Sequence, residues 1–171
     1  FGISIYHLVR NNQRDFFQRS YRMGAIIGLA AVVMTGISGH LQGTYLLEVQ
    51  PMTAAASEAH FETADPAPFK VIAGFDRSGR KEVWSWEIPK GLSWLYFFRP
   101  EGEVVGINQI QAEYVEQYGP GNYIPNVAVA FWSFRIMVGL GILMVALGSA
   151  AVIAAWKGWP ESWLPWMHWF M

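Results

Sequence analysis

Three side chains in this sequence are of types that could do chemistry where they stand. Glu58 is a carboxylate inside the apolar stretch TAAASEAH, and an acid in apolar surroundings has a raised pKa suited to taking up and releasing a proton. Arg135 places a cation at the head of an uncharged run, and Met137, two residues on, offers a thioether, a soft ligand for a redox metal. Each has a blander reading when taken alone. An isolated acid is usually solvated, an Arg at the edge of an apolar run usually snorkels towards water, and a Met in such a run usually packs. The four His residues, His7, His40, His60 and His168, read as surface or capping groups. Cys is absent, which excludes disulfides, thiolate catalysis and Cys-ligated clusters within this chain. The chain holds no GxxxxGKS phosphate loop, no HExxH metal site and no Ser-centred nucleophile elbow. Hydrolase and transferase readings therefore find no support.

The elements that must position these groups are set by hydropathy. Of 171 residues, 53% are hydrophobic, only 15% are charged and nine are Trp, and the mean hydropathy is +0.20. That balance belongs to a membrane protein. A net charge of -1 with acids gathered centrally argues against nucleic acid as a partner. Residues 23–39 and 136–156 carry no charge, and roughly 20 such residues span a bilayer. Gly24, Gly28, Ala31 and Gly36 in the first run, and Gly139, Gly141 and Gly148 in the second, permit close helix packing in lipid.

The organisation that follows is membrane, domain, membrane. Residues 1–9 read as the end of a spanning helix, 10–22 as a basic linker and 23–39 as a spanning helix. Residues 40–130 form an outer domain, 131–156 a second spanning helix, and 157–171 a turn and the start of another helix. Arg10, Arg14, Arg19 and Arg22 assign the linker to the cytoplasm by the positive-inside rule, which puts 40–130 on the outer face. Phe131 and Trp132 at one end of the second helix, and Trp156 and Trp159 at the other, suit interfacial aromatic belts. The fold class expected is an all-α membrane bundle with an extracytoplasmic loop domain of short helices and a possible β-hairpin. Within the loop the sequence predicts a short helix over Pro51 to Glu62, and strands over Phe69 to Gly74 and Lys81 to Ile88 joined by a turn at Asp76 to Gly79. It also predicts a surface-lying GLSWLYFF segment and a helix over Asn108 to Tyr118 ending at Gly119.

The strings EVQPMTAAASEAHFET, APF, EIP, GINQIQAEY, YGPGNYIPNV and FWSFRIMVGLG, in that order and at these spacings, resemble the quinol-binding loop and following helix of cytochrome bd oxidase subunit I. The resemblance covers nearly the whole chain and implies a fragment running from the end of the family's fifth helix to the opening of its eighth. It implies a bacterial inner-membrane quinol oxidase that uses ubiquinol or menaquinol, reduces oxygen, and works with subunit II and small subunits. Oxidising a quinol removes two electrons and two protons, so such a site needs an electron acceptor and a proton acceptor, which a haem and a carboxylate supply. By resemblance Met137 is an axial iron ligand of low-spin haem b, and Arg135 serves a haem propionate and the quinone. Glu58 and Arg135 become the candidate catalytic residues, and Gln50, Thr53 and Glu58 the candidate quinol contacts. A second haem b and haem d belong to the family's complete subunit, with their ligands outside this sequence.

Two departures qualify the resemblance. Thr53 stands where the family usually has Lys after PM, so one cationic quinol partner is lost or replaced, with Gln50 as a candidate substitute. His40 stands where the family often has Asp. Positions 135 and 137 also lie about 200° apart around a helix, so both reach one haem only if Arg135 curls along its helix. Two rival readings are a non-catalytic membrane protein with an extracytoplasmic ligand- or partner-binding domain, and half of a transporter. The second calls for an inverted repeat, which the sequence does not show.

Overall fold

The computed structural model describes residues 2–10 and 13–157. The described residues are mostly helical and divide into two compact units, one drawn from the chain up to Ser38 and from Gly139 onward, the other Gly39–Val138.

The helical unit contains α1 (Gly2–Val9) and most of α2 (Arg14–Val49) and α6 (Val127–Lys157). Both long helices are long and apolar enough to cross a membrane. At about 1.5 Å per residue, the 36 residues of α2 reach well beyond a hydrocarbon core of roughly 30 Å. Helix α2 starts at Arg14 rather than at Met23, because DFFQRSY holds no helix breaker and the charges of Arg14, Arg19 and Arg22 end membrane burial without ending the helix. For the same reason it continues past Gly39 to Val49. Ile5 and Leu8 of α1, Tyr21 and Ala25 of α2, and Ala151 and Ala155 of α6 form one buried cluster. The Tyr21 hydroxyl donates to the Ala151 carbonyl at 3.2 Å and Arg22 Nε to the Ala155 carbonyl at 3.0 Å. The second bond meets one of the four carbonyls that a helix C-terminus leaves unpaired. Elsewhere the apolar side chains face outward, with Ile27 63% exposed, Met34 67% and Ile142 66%, as suits surfaces whose solvent is lipid.

The second unit is built on a hairpin of β1 (Phe69–Phe75) and β2 (Glu82–Ile88), paired antiparallel. The turn falls at Asp76 to Gly79 as expected. Asp76 accepts hydrogen bonds from Ser78 and from the Arg80 and Lys81 amides, which hold its carboxyl below the usual range. Register shifts between Lys70 and Ile72 and between Gly74 and Phe75, the mark of β-bulges. Around the hairpin sit α3 (Pro51–Ser57), α4 (Gly91–Phe97) and α5 (Ile107–Tyr118). Helix α3 is shorter than the Pro51 to Glu62 expectation. Ala59 adopts φ +50, and the His60 amide closes back on the Ala55 carbonyl at 2.9 Å, so the chain leaves the helix just after Glu58. Pro51 at the first turn fits its missing N–H.

The core of this unit is Met52, Ala55, Ala56, Ala59, Ala73, Ile107, Ile110, Val127 and Phe131. Phe131 is fully buried there, so it is a core residue and not part of an aromatic belt, while Trp132 is 41% exposed. Gly106 is required by a close crossing, since a Cβ at that position would lie 2.5 Å from the Phe61 carbonyl oxygen and from the Glu62 carbonyl carbon. Of the turn and helix start expected over 157–171, Lys157 is the last described residue of α6, and the rest, with Trp159 and His168, lies outside the described residues.

Candidate functional site

Within Gly39–Val138 the end of α3, the start of β1 and the beginning of the uncharged part of α6 converge on one buried ion pair. Arg135 Nη2 donates to Glu58 Oε2 at 2.6 Å, with the Arg side chain 10% exposed and the Glu side chain 2%. The early end of α3 puts Glu58 at its C-terminal cap. Arg135 Nε and Nη2 also donate to the Lys70 carbonyl at 3.0 and 2.6 Å. The guanidinium carbon lies 4.4 Å from the Phe69 ring centroid and 4.6 Å from that of Phe131, so the cation is held between aromatic faces as well as by oxygens.

The pair is incompletely satisfied. Glu58 Oε1 and Arg135 Nη1 are buried and have no hydrogen-bond partner among the described residues. Buried polar atoms in native proteins are nearly always paired. An acceptor and a donor left open on the same ion pair therefore fit a polar ligand that both accepts and donates. Burial pushes the Glu58 carboxyl upward, the Arg135 hydrogen bond and charge pull it back, and the net displacement is upward. A carboxyl so placed can exchange a proton nearer neutrality than a solvated one. Tyr96 of α4 is also pushed upward, first by burial and then by the Glu58 charge, which keeps its phenol neutral.

The other expected site residues fall in different places. Thr53 Oγ1 donates to Gln50 Oε1 at 3.4 Å, and both are exposed at the start of α3. Neither bonds Glu58 or Arg135 among the described residues. Met137 is 59% exposed on α6, while the Arg135 side chain is buried against Glu58 and the Lys70 carbonyl. An exposed thioether is a donor that fits a haem iron, and the open Arg135 Nη1 fits an acceptor oxygen of a bound ligand. His60 is not a surface residue. It is 3% exposed, its Nε2 donates to the Val104 carbonyl at 3.0 Å, and burial lowers its pKa. His7 stacks on Phe17 with centroids 4.1 Å apart, and His40 meets Phe98 edge-on at 5.0 Å.

The sequence reading missed Lys70 and Glu82. The Lys70 ammonium donates to the Ala59 carbonyl at 2.8 Å and forms an ion pair with Glu82. A Lys set between Phe69 and Val71 in a strand pattern was the available signal, since an inward Lys demands partners.

With this geometry in place, the family model of cytochrome bd terminal oxidase subunit I matches residues 1–171. The chain belongs to that family. It is 42% identical over 150 residues to the protein named cytochrome bd ubiquinol oxidase subunit 1 of Bacillus subtilis (strain 168), covering 86% of this chain and 32% of that protein. It is 26% identical over 156 residues to the putative cytochrome bd menaquinol oxidase subunit I of the same organism, covering 89% and 33%. The solved bd oxidase of Geobacillus thermodenitrificans matches 98% of this chain and 36% of its own with a TM-score of 0.74 at 24% identity, which establishes a shared fold. The chain thus spans about a third of the length of these relatives. As a member of the cytochrome bd oxidase subunit I family with two apolar helices of spanning length, it is a helical membrane protein.

Proposed function

We propose that this chain supplies the quinol-oxidising site of a bd-type terminal oxidase, with Glu58 as the proton acceptor and Arg135 as its partner. The observation that carries the reading is the buried Glu58–Arg135 pair with one acceptor and one donor atom open. A quinol hydroxyl donates to Glu58 Oε1 and loses its proton there, while Arg135 Nη1 donates to an oxygen of the same ring. As the quinol gives up two electrons and two protons to become quinone, Glu58 takes the protons in turn and releases them on the outer side, which is the periplasmic side of the inner membrane in this reading. The phenyl rings of Phe69 and Phe131 hold Arg135 in place and keep water from competing for it. Met137 is the residue that would hold the iron of a haem b and Arg135 the one that would meet a propionate; bound there, the haem would supply the one-electron acceptor. The oxygen-reducing site that would take these electrons belongs to the remainder of subunit I, with the second haem b and haem d. Subunit II and small subunits complete the enzyme. The names of the relatives include both ubiquinol and menaquinol, so both remain substrates to test.

The test uses two variants of the full-length subunit in its assembled complex. Glu58→Gln is expected to slow quinol oxidation about 100-fold while leaving the low-spin haem b spectrum and oxygen reduction from artificial one-electron donors intact. Met137→Leu is expected to lose that spectrum with the protein still inserted. Unchanged quinol turnover in the first would make Glu58 a structural acid, and an unchanged reduced-minus-oxidised spectrum in the second would remove Met137 as a ligand.

A further inference from the structure

Lys70 bonds Arg135 directly and reaches Glu58 only through the backbone of the next residue, Ala59. At the start of β1, beside the register shift between Lys70 and Ile72, its carbonyl accepts both the Nε and the Nη2 bonds of Arg135 at 3.0 and 2.6 Å. A bulge is the device by which a strand re-aims a residue away from its ladder. The same residue's ammonium, buried with the side chain only 10% exposed, donates to the Ala59 carbonyl at 2.8 Å and pairs with Glu82. Ala59 is the left-handed residue that follows Glu58 and ends α3. One lysine therefore fixes the guanidinium from its main chain and, from its side chain, the backbone bearing the carboxylate. Glu82, half-way between buried and exposed, balances the charge. Both residues line a groove of about 770 Å³ together with His60, Glu87, Asn108 and Asn122.

We propose that Lys70 is a positioning residue for quinol binding, holding Glu58 and Arg135 at hydrogen-bond distance with Oε1 and Nη1 directed to the ligand, and that Glu82 maintains it as the counter-charge. This rests on the quinol-site reading above. A buried ammonium needs its acceptors satisfied. Replacing it with an apolar chain leaves the Ala59 carbonyl and Glu82 without their donor, and the carboxylate of Glu58 then loses its fixed approach. An arginine retains donors for both oxygens.

The experiment compares Lys70→Met, Lys70→Arg, Glu82→Gln and Glu58→Gln in the assembled oxidase, measuring the dissociation constant of a non-reducible quinone analogue by calorimetry beside KM and kcat for a soluble quinol. Lys70→Met is expected to weaken analogue binding and raise KM about tenfold, the consequence of one misplaced charged hydrogen bond, with haem content and artificial-donor turnover unchanged. Lys70→Arg is expected to recover most of the affinity, and Glu82→Gln to weaken it about threefold. Analogue affinity and KM like wild type in Lys70→Met, with Glu58→Gln impaired, would overturn the positioning role alone. If Glu58→Gln were equally indifferent, the quinol-site reading itself would fall. Should Lys70→Met not assemble, Glu82→Gln decides, because it leaves every Lys70 carbonyl bond in place: unchanged affinity there overturns the proposal.

Discussion

The loop unit, Gly39–Val138, and the helical unit solve opposite solvation problems. The loop unit buries Glu58, His60, Lys70 and Ser93, whereas the helical unit buries Ser4 and the Tyr21 ring and turns Ile27, Met34, Leu140 and Ile142 outward. In lipid, apolar surface needs no covering and polar backbone must be satisfied internally, so a continuous helix with a few directed bonds suffices. In the loop, each buried charge costs desolvation that only directed partners repay. Chemistry therefore concentrates where the chain has accepted that cost, and the two open atoms, Glu58 Oε1 and Arg135 Nη1, mark where it is not fully met.

The largest effect expected from breaking this contrast is at Arg135. Arg135→Gln leaves Glu58 buried without its cation, and is expected to cost the loop unit about 3–5 kcal/mol and to reduce quinol oxidation at least about 100-fold. Thermal unfolding of the assembled enzyme and steady-state quinol turnover check the two parts. A stable, active variant would show that the pair contributes little to either.

A paired glycine substitution separates the two units by packing. Gly106→Ala drives a methyl to 2.5 Å from the backbone of Phe61 and Glu62, which cannot yield, and is expected to destabilise by about 2–3 kcal/mol. Gly148→Ala meets the Leu29 Cδ1 at 3.2 Å, the movable end of a side chain, and is expected to change stability by less than about 1 kcal/mol. Apparent Tm values for the two variants should differ by several degrees, with Gly106→Ala the lower.

The smallest effect concerns pH. Burial lowers the His60 pKa from its ordinary 6.5, a nearby Lys70 adds to this, and the Val104 carbonyl, Glu87 and Glu62 oppose it. Between the lowered folded value and 6.5 the unfolded chain binds a proton that the folded one does not. The stabilisation is thus complete above 6.5 and is lost as pH falls through the folded value. The slope for one proton cannot exceed about 1.4 kcal/mol per pH unit. His60→Gln, which keeps a donor for Val104, is expected to flatten stability between pH 6.5 and the acid side, measured by thermal unfolding at a series of pH values. An unaltered pH slope would mean that His60 does not carry it.

Hydropathy and family motif made much of this legible in advance. The two spanning helices, the hairpin with its Asp76 turn, and the helix ending at Tyr118 all follow from local pattern, because apolar runs, turn residues and Gly119 act over a few residues. Glu58 and Arg135 were visible as residue types within recognisable strings, but their 2.6 Å contact joins positions 77 residues apart and no local signal encodes it. Lys70 and Glu82 were missed for the same reason. Their partners are carbonyls and charges set by a bulge and by the left-handed Ala59, features fixed by tertiary packing. His60 was misread because a His between the two acids of EAHFET looks solvated, and only the return of Val104 beside it supplies the buried carbonyl. Phe131 looked like an interfacial aromatic because it adjoins a spanning segment, yet the loop core claims it.

Infrared difference spectroscopy on the assembled oxidase, recorded before and after adding quinol, reads the Glu58 proton itself. In wild type a protonated-carboxyl C=O band is expected to change with quinol addition and to be missing in Glu58→Gln, with the low-spin haem spectrum the same in both. A carboxyl band that responds to quinol equally in Glu58→Gln would assign the proton to another acid and contradict the role given to the Glu58–Arg135 pair.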